Sequence, residues 1–250
     1  MKRTMLTVFF VLLASALLVA LQPTCGPSPI LMADGTVTTD FIGASGGAYY
    51  WENLQGGHSY SVEAWDSYDT WHGSKPSLKL YTGSCVLGPS YQDITSITPS
   101  LGSTFSDRIS WIQPSTGSLY IGMSNPDSAH GYNFGIRLTD TTLISPRWTT
   151  YGGYTTQYGF VNTTNTPING TLTLYDQVSG GPYTMSITVA VGSRSVVTIP
   201  TTLVVPANHA GQATFAFVGP PGAIMADGFV TSASGTVVLP ITFAARSFQH

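Results

Sequence analysis

The sequence predicts an all-β protein of two antiparallel β-sandwiches in tandem, of jelly-roll or immunoglobulin-like type, after an N-terminal signal peptide. Short apolar runs alternate with polar residues at a period of two along most of the chain, which is the pattern of half-buried strands. Clusters of Gly, Pro, Ser and Asn separate these runs, as expected for turns. Beyond the N-terminus, no stretch shows the 3.6-residue apolar period of an amphipathic helix.

The composition agrees with this fold class. The 250 residues suit one or two domains. Charged residues make up 8% of the chain, against about 25% in an average soluble protein. The apolar fraction of 42% is high enough to form cores, which argues against a disordered protein.

The N-terminus predicts export. Lys2 and Arg3 precede a nearly uninterrupted apolar run from Met5 to Leu21, as in a secretory signal peptide. We therefore interpret residues 1–22 as a signal peptide and residues 23–34 as an extended lead segment. The competing interpretation is an uncleaved anchor, because the run approaches the roughly 18 apolar residues of a membrane span. The predicted location is extracellular or on the cell surface.

The charge balance excludes some partners. Loss of Lys2 and Arg3 with the signal peptide would lower the formal charge from −3 to −5, since both are cations. A mildly acidic chain lacks the basic surface that nucleic acid requires. Anionic membranes are equally poor partners once the signal peptide is removed. No nucleic-acid or membrane partner is therefore expected.

The cysteines are Cys25 and Cys85. In an exported protein, two cysteines are most simply one disulfide, which would tie the lead segment to the first sandwich. Two free thiols are the alternative, because Cys25 lies in a Pro-rich lead whose position the sequence does not fix.

The first sandwich is expected over residues 35–141. The last two of its strands flank a loop of Asn, Pro, Asp, Ser, His and Gly, so this pair is predicted to form a β-hairpin. The predicted strands cover residues 35–42, 48–54, 59–64, 77–81, 106–111, 118–123 and 132–139.

Five stretches of this region form a series of strand motifs. They are Ala48-Tyr49-Tyr50-Trp51, Gly57-His58-Ser59-Tyr60-Ser61-Val62, Leu78-Lys79-Leu80-Tyr81, Thr116-Gly117-Ser118-Leu119-Tyr120-Ile121 and Gly131-Tyr132-Asn133-Phe134. The series resembles that of the bacterial pre-peptidase C-terminal domain, whose pattern is an aromatic strand followed by strands of the kinds G-x-x-Y-x-V, L-x-L-Y, sG-x-Y-x-I and G-x-Y-x-L. The resemblance implies a jelly-roll-like, non-catalytic sandwich that binds a substrate or surface. Members usually accompany a hydrolase domain, and none is recognisable here.

The second sandwich is expected over residues 146–250, after a connector at residues 140–148 that contains Pro146. About 100 residues with seven short strands is the size of an immunoglobulin-like domain. The stretches Phe160-Val161-Asn162, Gly170-Thr171-Leu172-Thr173-Leu174-Tyr175 and Ser195-Val196-Val197-Thr198-Ile199-Pro200 resemble strands of generic bacterial extracellular immunoglobulin-like domains. The predicted strands cover residues 157–162, 170–175, 185–191, 195–200, 211–218, 223–230 and 236–243.

One acidic cluster is a candidate calcium site. Glu63, Asp66 and Asp69 leave a predicted strand at a three-residue spacing, and carboxylate oxygens are the ligands that Ca²⁺ prefers. The spacing does not fit an EF-hand. The alternative is a solvated loop in which the aspartates cap turns. Asp127, in the predicted hairpin loop, is the further ligand that we consider. No other cofactor is expected.

Three neighbouring side chains form a candidate ligand-binding platform. Tyr68, Trp71 and His72 lie in a predicted loop, where an exposed aromatic ring could stack on a sugar. The alternative is that these aromatics, like many in sandwiches, belong to the core.

Catalysis is not expected. The chain has five histidines and many serines, but neither a Gly-x-Ser-x-Gly elbow nor a His-Glu-x-x-His helix. The leading hypothesis is a non-enzymatic secreted or cell-surface protein with a binding or structural role. The alternatives are an accessory component of an extracellular hydrolase system that binds polysaccharide or protein, and a surface subunit that self-assembles by strand addition.

Overall fold

The computed structural model describes residues 30–33, 35–66, 76–82 and 106–245, and in this part of the chain the fold is all-β. A 3₁₀ turn covers Tyr151–Gly153. The strands of the first half are β1 (Ile30–Leu31), β2 (Val37–Ile42), β3 (Gly47–Leu54), β4 (Ser59–Asp66), β5 (Ser77–Thr82), β6 (Ser106–Ile112), β7 (Gly117–Ser124) and β8 (Tyr132–Asp140). Those of the second half are β9 (Leu143–Thr149), β10 (Thr155–Asn162), β11 (Ile168–Asp176), β12 (Pro182–Val189), β13 (Arg194–Ile199), β14 (Ala210–Phe217), β15 (Ile224–Thr231), β16 (Val238–Thr242) and β17 (Ala244–Ala245).

The predicted fold class is confirmed, and every predicted strand is present within a few residues of its expected bounds. The agreement follows from the alternation of side chains, which is preserved wherever one face of a strand is buried. The predicted signal peptide at residues 1–22, most of the predicted lead segment and the predicted disulfide between Cys25 and Cys85 lie outside the described residues. The division into two tandem domains stays a prediction.

The described residues of the first half form two four-stranded sheets, of order β1-β3-β7-β5 and β2-β8-β4-β6. From β2 to β8, the described strands alternate along the chain between the two sheets. This order is typical of a jelly roll. The predicted hairpin is therefore wrong, because β7 and β8 lie in different sheets. Both strands alternate because each faces the same core from its own sheet, and the 125–131 loop crosses between the sheets.

One hydrophobic cluster fills the space between these two sheets. The β7 side chains that enter it alternate along the strand, as do those of β8, which accounts for the period of two in the sequence. Among its largest members are Tyr50, Trp111, Ile121 and Phe134, each at most 1% exposed.

The second half also forms two sheets, of order β13-β10-β15-β16 and β12-β11-β14-β9-β17. Here two sequential pairs are true hairpins, β11 with β12 and β15 with β16. A second hydrophobic cluster is centred on aromatic rings, with Phe160 stacked on Phe215 at 4.1 Å between ring centroids.

The stretch expected to be a connector is instead partly a strand. Only Thr141 and Thr142 separate β8 from β9. β9 contains Pro146, which cannot donate a hydrogen bond to a neighbouring strand, and the register between β9 and β14 shifts at this point. The irregularity, between Gly211 and Ala213 on β14, lets the strand continue past the proline.

Candidate functional site

Several strand ends of the first half meet at one end of its two sheets. Cα partners join Asp66 to Phe134, Ile42 to Tyr132, and both Gly47 and Ser77 to Ser124. The 43–46 loop, the 125–131 loop, the last residue of β4 and the first of β5 therefore lie together, and we refer to this region as the loop end. Tyr68, Asp69, Trp71 and His72, which lie in the chain between β4 and β5, are outside the described residues.

Asn125 fixes the 125–131 loop to its neighbour. The residue is 2% exposed. Its side-chain amide donates to the carbonyls of Ile42, Gly43 and His130 at 3.4, 3.2 and 2.8 Å. Its Oδ1 accepts from the backbone N–H of Asp127 at 3.0 Å, which closes an Asx turn. The 125–131 loop is thus held by hydrogen bonds between one buried side chain and the backbone on both sides of the loop pair.

Asp127 organises the rest of this loop. Its carboxylate accepts hydrogen bonds from the backbone of Ala129 at 2.7 Å and of His130 at 3.2 Å, and from the Tyr132 hydroxyl at 2.6 Å. The backbone of Ser45 donates to the Asp127 carbonyl at 2.7 Å, which joins the two loops. The result is a preformed loop pair at the end of a rigid sandwich.

The electrostatics of this loop follow from the same contacts. The hydrogen bond from Tyr132, followed by that from the Ala129 backbone, holds the pKa of Asp127 well below its ordinary value. The same bond, together with burial and the negative charges of Asp127 and Asp66, raises the pKa of Tyr132 to about 12. Asp66 and Asp127 therefore both lie close enough to the Tyr132 hydroxyl to raise its pKa.

The predicted calcium ligands are separated by the strand that carries them. Glu63 and Asp66 both lie on β4, whose pairing is regular through this stretch, so the three-residue spacing places them on opposite faces of the sheet. Asp69 lies outside the described residues. Within the described ranges, no group of three His, Cys, Asp or Glu side chains is arranged to hold a metal ion.

Glu63 instead belongs to a buried ion cluster. Its carboxylate lies 2.7 Å from Arg137 Nη2 and 3.7 Å from Arg108 Nη1, with 11% of its side chain exposed. Burial lowers the pKa of Arg108, although the negative charge of Glu63 opposes this effect. Two guanidinium groups thus supply the positive charge that a bound calcium would supply at this carboxylate.

Two His–Asp pairs, one buried and one partly buried, were not anticipated from the sequence. His58 Nδ1 lies 2.8 Å from Asp140 Oδ2, and the other oxygen of Asp140 accepts from the Thr142 backbone at 2.9 Å. Ser59 makes hydrogen bonds to both residues between β8 and β9. Its backbone N–H donates to Thr142 Oγ1 at 2.9 Å, and its hydroxyl oxygen accepts from the Thr141 hydroxyl at 3.0 Å. These contacts fasten the two-residue link between the halves of the chain to β4.

The second pair joins β11 to the residue before β14. His209 Nδ1 lies 2.6 Å from Asp176 Oδ2, and the same carboxylate accepts from Ser179 Oγ at 2.5 Å and from the Val178 backbone at 2.9 Å. Burial raises the pKa of Asp176, but the hydrogen bonds from Ser179, Val178 and His209 outweigh it, so the pKa lies well below its ordinary value.

A carboxylate that orients a histidine is also the arrangement found beside catalytic nucleophiles. Here the His58 side chain is 4% exposed and that of Asp140 is fully buried, so a substrate cannot reach this pair. The contacts of the His58–Asp140 pair are those of residues that stabilise the fold.

Comparison with protein-family models gives no match to this chain, and comparison with curated proteins gives none either. Nor do residues 30–33, 35–66, 76–82 and 106–245 include a helix with the length and apolar character that crossing a membrane demands.

Proposed function

We propose that this chain is a non-catalytic secreted or cell-surface binding protein, and that the loop end of its first sheet pair makes the contact. The observation that supports this most strongly is the convergence of two hydrogen-bonded loops on the strand ends that flank residues 67–75. Loops held by a rigid scaffold are where binding surfaces are most often built. The predicted ligand-binding residues Tyr68, Trp71 and His72 lie within that flanked stretch.

Retention on insoluble extracellular materials tests this proposal. The purified chain is incubated with cellulose, chitin and fibrillar collagen, and the bound fraction is measured after sedimentation. Asp127→Ala removes the acceptor that orders the 125–131 loop, so we expect it to reduce retention several-fold. Asp227→Ala is the matched control, because it removes one carboxylate from an exposed ion pair with Arg194. Equal retention of both variants would contradict a role for the loop end.

The calcium hypothesis belongs to the same surface and is tested separately. A ligand that binds only the folded state raises its stability, by about 2.7 kcal/mol at a hundredfold excess over Kd. A melting temperature that rises with Ca²⁺, falls again with chelator and is insensitive to both in Asp66→Ala would establish a site near the end of β4. An unchanged melting temperature would remove calcium from the proposal.

A second candidate function is self-assembly, which an edge strand favours. β12 is the outermost strand of its sheet, and its exposed face carries Thr184, Ser186 and Thr188 without a charge. Exposed edge strands are usually protected by charged residues, so an uncharged edge favours pairing with another chain. Sedimentation at rising concentration tests this candidate, and Ser186→Lys is expected to suppress any large species.

A further inference from the structure

The outer face of the sheet β1-β3-β7-β5 carries a row of apolar and aromatic side chains. Tyr50 and Leu54 of β3 enter the core, so Trp51 points to the opposite, outer face. Cα partners continue from Leu31 to Trp51, from Trp51 to Tyr120, and from Tyr120 to Tyr81. The row therefore crosses all four strands, a width of about 14 Å at the usual strand spacing.

A second line of residues lies beside this row. Tyr49, Gly122 and Lys79 form the next line of Cα partners on the same face. The rings of Tyr49 and Tyr81 have centroids 6.3 Å apart and are tilted by 53°. A Cβ atom at position 122 would lie 2.9 Å from Tyr81 Cε2 and 3.5 Å from Tyr49 Cε1, so glycine lets both rings lie close over the backbone of β7.

The rings on this face are only partly accessible. Tyr120 is 1% exposed and is flanked by Trp51 and Tyr81, so it forms the base of the row. Tyr49, Trp51 and Tyr81 are half-buried. Burial and, to a smaller extent, the adjacent Tyr49 raise the pKa of Tyr81. Its hydroxyl is therefore a protonated hydrogen-bond donor at neutral pH.

The polar groups of this face lie at its margins. Lys79 is exposed, and it forms no ion pair with any described residue. Along β3, Asn53 accepts a hydrogen bond from Ser118 Oγ at 2.7 Å. The face thus combines aromatic rings, neutral hydrogen-bonding groups and one positive charge, on a chain whose formal charge is −3.

We propose that this aromatic face, formed by Trp51, Tyr81, Tyr49 and Lys79 over the buried Tyr120, binds an acidic polysaccharide. Sugar rings present C–H groups with partial positive charge, which complement the negative faces of aromatic rings. Their hydroxyl groups match the tyrosine hydroxyls and the Asn53–Ser118 pair. The carboxylate of a uronic acid complements the ammonium group of Lys79, and this charge selects an acidic polymer over a neutral one.

The inference rests on the proposed binding function but assigns it a different surface from the loop end. The proposals for the loop end and for the aromatic face can therefore be refuted independently. Loss of retention in Asp127→Ala tests the loop end alone, whereas substitutions on β3 and β5 test the aromatic face alone.

Affinity electrophoresis in native gels tests the aromatic face. The purified full chain is run through gels that contain polygalacturonate, and in parallel through gels that contain neutral hydroxyethylcellulose. We expect retardation in polygalacturonate, with a Kd raised about tenfold by Lys79→Glu and by Trp51→Ala, a factor that corresponds to about 1.4 kcal/mol. Lys79 is exposed, so its substitution leaves the core intact even if Trp51→Ala destabilises the fold.

Arg147→Glu is the matched control for Lys79→Glu. It changes the net charge equally at an exposed position on β9, in the other half of the chain, and we expect its Kd to stay within about twofold of the parent value. Absence of retardation in polygalacturonate would overturn the proposal. So would equal retardation of the parent chain and Lys79→Glu, or equal retardation of the parent chain in the neutral gel.

Discussion

Removal of the Asp140 side chain should destabilise the protein strongly. The carboxylate is fully buried and accepts from the Thr142 backbone while contacting His58 Nδ1. Asp140→Ala leaves both groups buried without this acceptor, and each such loss costs about 1–3 kcal/mol. The expected decrease in the free energy of unfolding is therefore about 2–6 kcal/mol. Asp140→Asn keeps an acceptor for Thr142 and should lose less.

Urea unfolding followed by tryptophan fluorescence measures this decrease. With a urea dependence of about 1–3 kcal/mol per molar, a loss of about 4 kcal/mol, the centre of the expected decrease, would lower the midpoint by about 1.3 M or more. Asp227→Ala is the control, because its partner Arg194 and its own side chain are 46% and 63% exposed. Exposed ion pairs contribute about 0–1 kcal/mol, so its midpoint should hardly move.

Equal midpoints for Asp140→Ala and the parent chain would refute the reasoning. Such a result would mean that the contacts around the Thr141–Thr142 link contribute no net stability, despite their burial. A large shift for Asp227→Ala would equally contradict the comparison between buried and exposed pairs.

Three further predictions concern the second half of the chain. The folded-state pKa of Asp176 is lowered, so its contribution to stability is present above pH 4 and is lost as the pH falls further; Asp176→Asn should therefore flatten the loss of melting temperature between neutral and acid pH. Phe160→Ala removes a ring stacked on Phe215 in the core, and calorimetry should show a loss of about 3–5 kcal/mol. Gly211→Ala places a Cβ against the backbone carbonyl of Tyr175, and we expect a lowered melting temperature with altered near-ultraviolet circular dichroism.

The strands could be predicted because one face of each is buried, and burial imposes the period of two on the sequence. Their pairing could not be predicted in the same way. β7 and β8 show a hairpin pattern, yet they lie in different sheets, because alternation records which side chains enter the core and not which strand is the neighbour. β9 was missed because Pro146 suggests a break, whereas a local irregularity accommodates it.

The candidate site was less predictable than the fold. Glu63 and Asp66 were expected to leave a strand together, but β4 continues to Asp66, and the strand geometry directs the two side chains to opposite faces. The His58–Asp140 and His209–Asp176 pairs join residues 82 and 33 positions apart. No local pattern reports such contacts, because sheet topology alone brings their members together.

The aromatic face left a signal that sequence reasoning did not use. Tyr49 and Trp51 are two residues apart, as expected for one face of a strand, and Tyr120 and Tyr81 are single aromatics on two other strands. Only the register shows that these side chains belong to the outer face and share a row. The sheet face on which an aromatic residue lies must therefore be known before that residue can be assigned to the core or to the surface of a sandwich.

Retention on insoluble material tests the proposal that this chain binds its partner through the loop end. The measurement is the bound fraction of the parent chain and of Asp127→Ala on cellulose, chitin and fibrillar collagen, with Asp227→Ala as control. We expect the parent chain and Asp227→Ala to be retained on at least one material, and Asp127→Ala to be released from it while its melting temperature shows a folded protein. No retention of the parent chain on any of the three materials, or equal retention of all three proteins, would refute a binding role for the loop end.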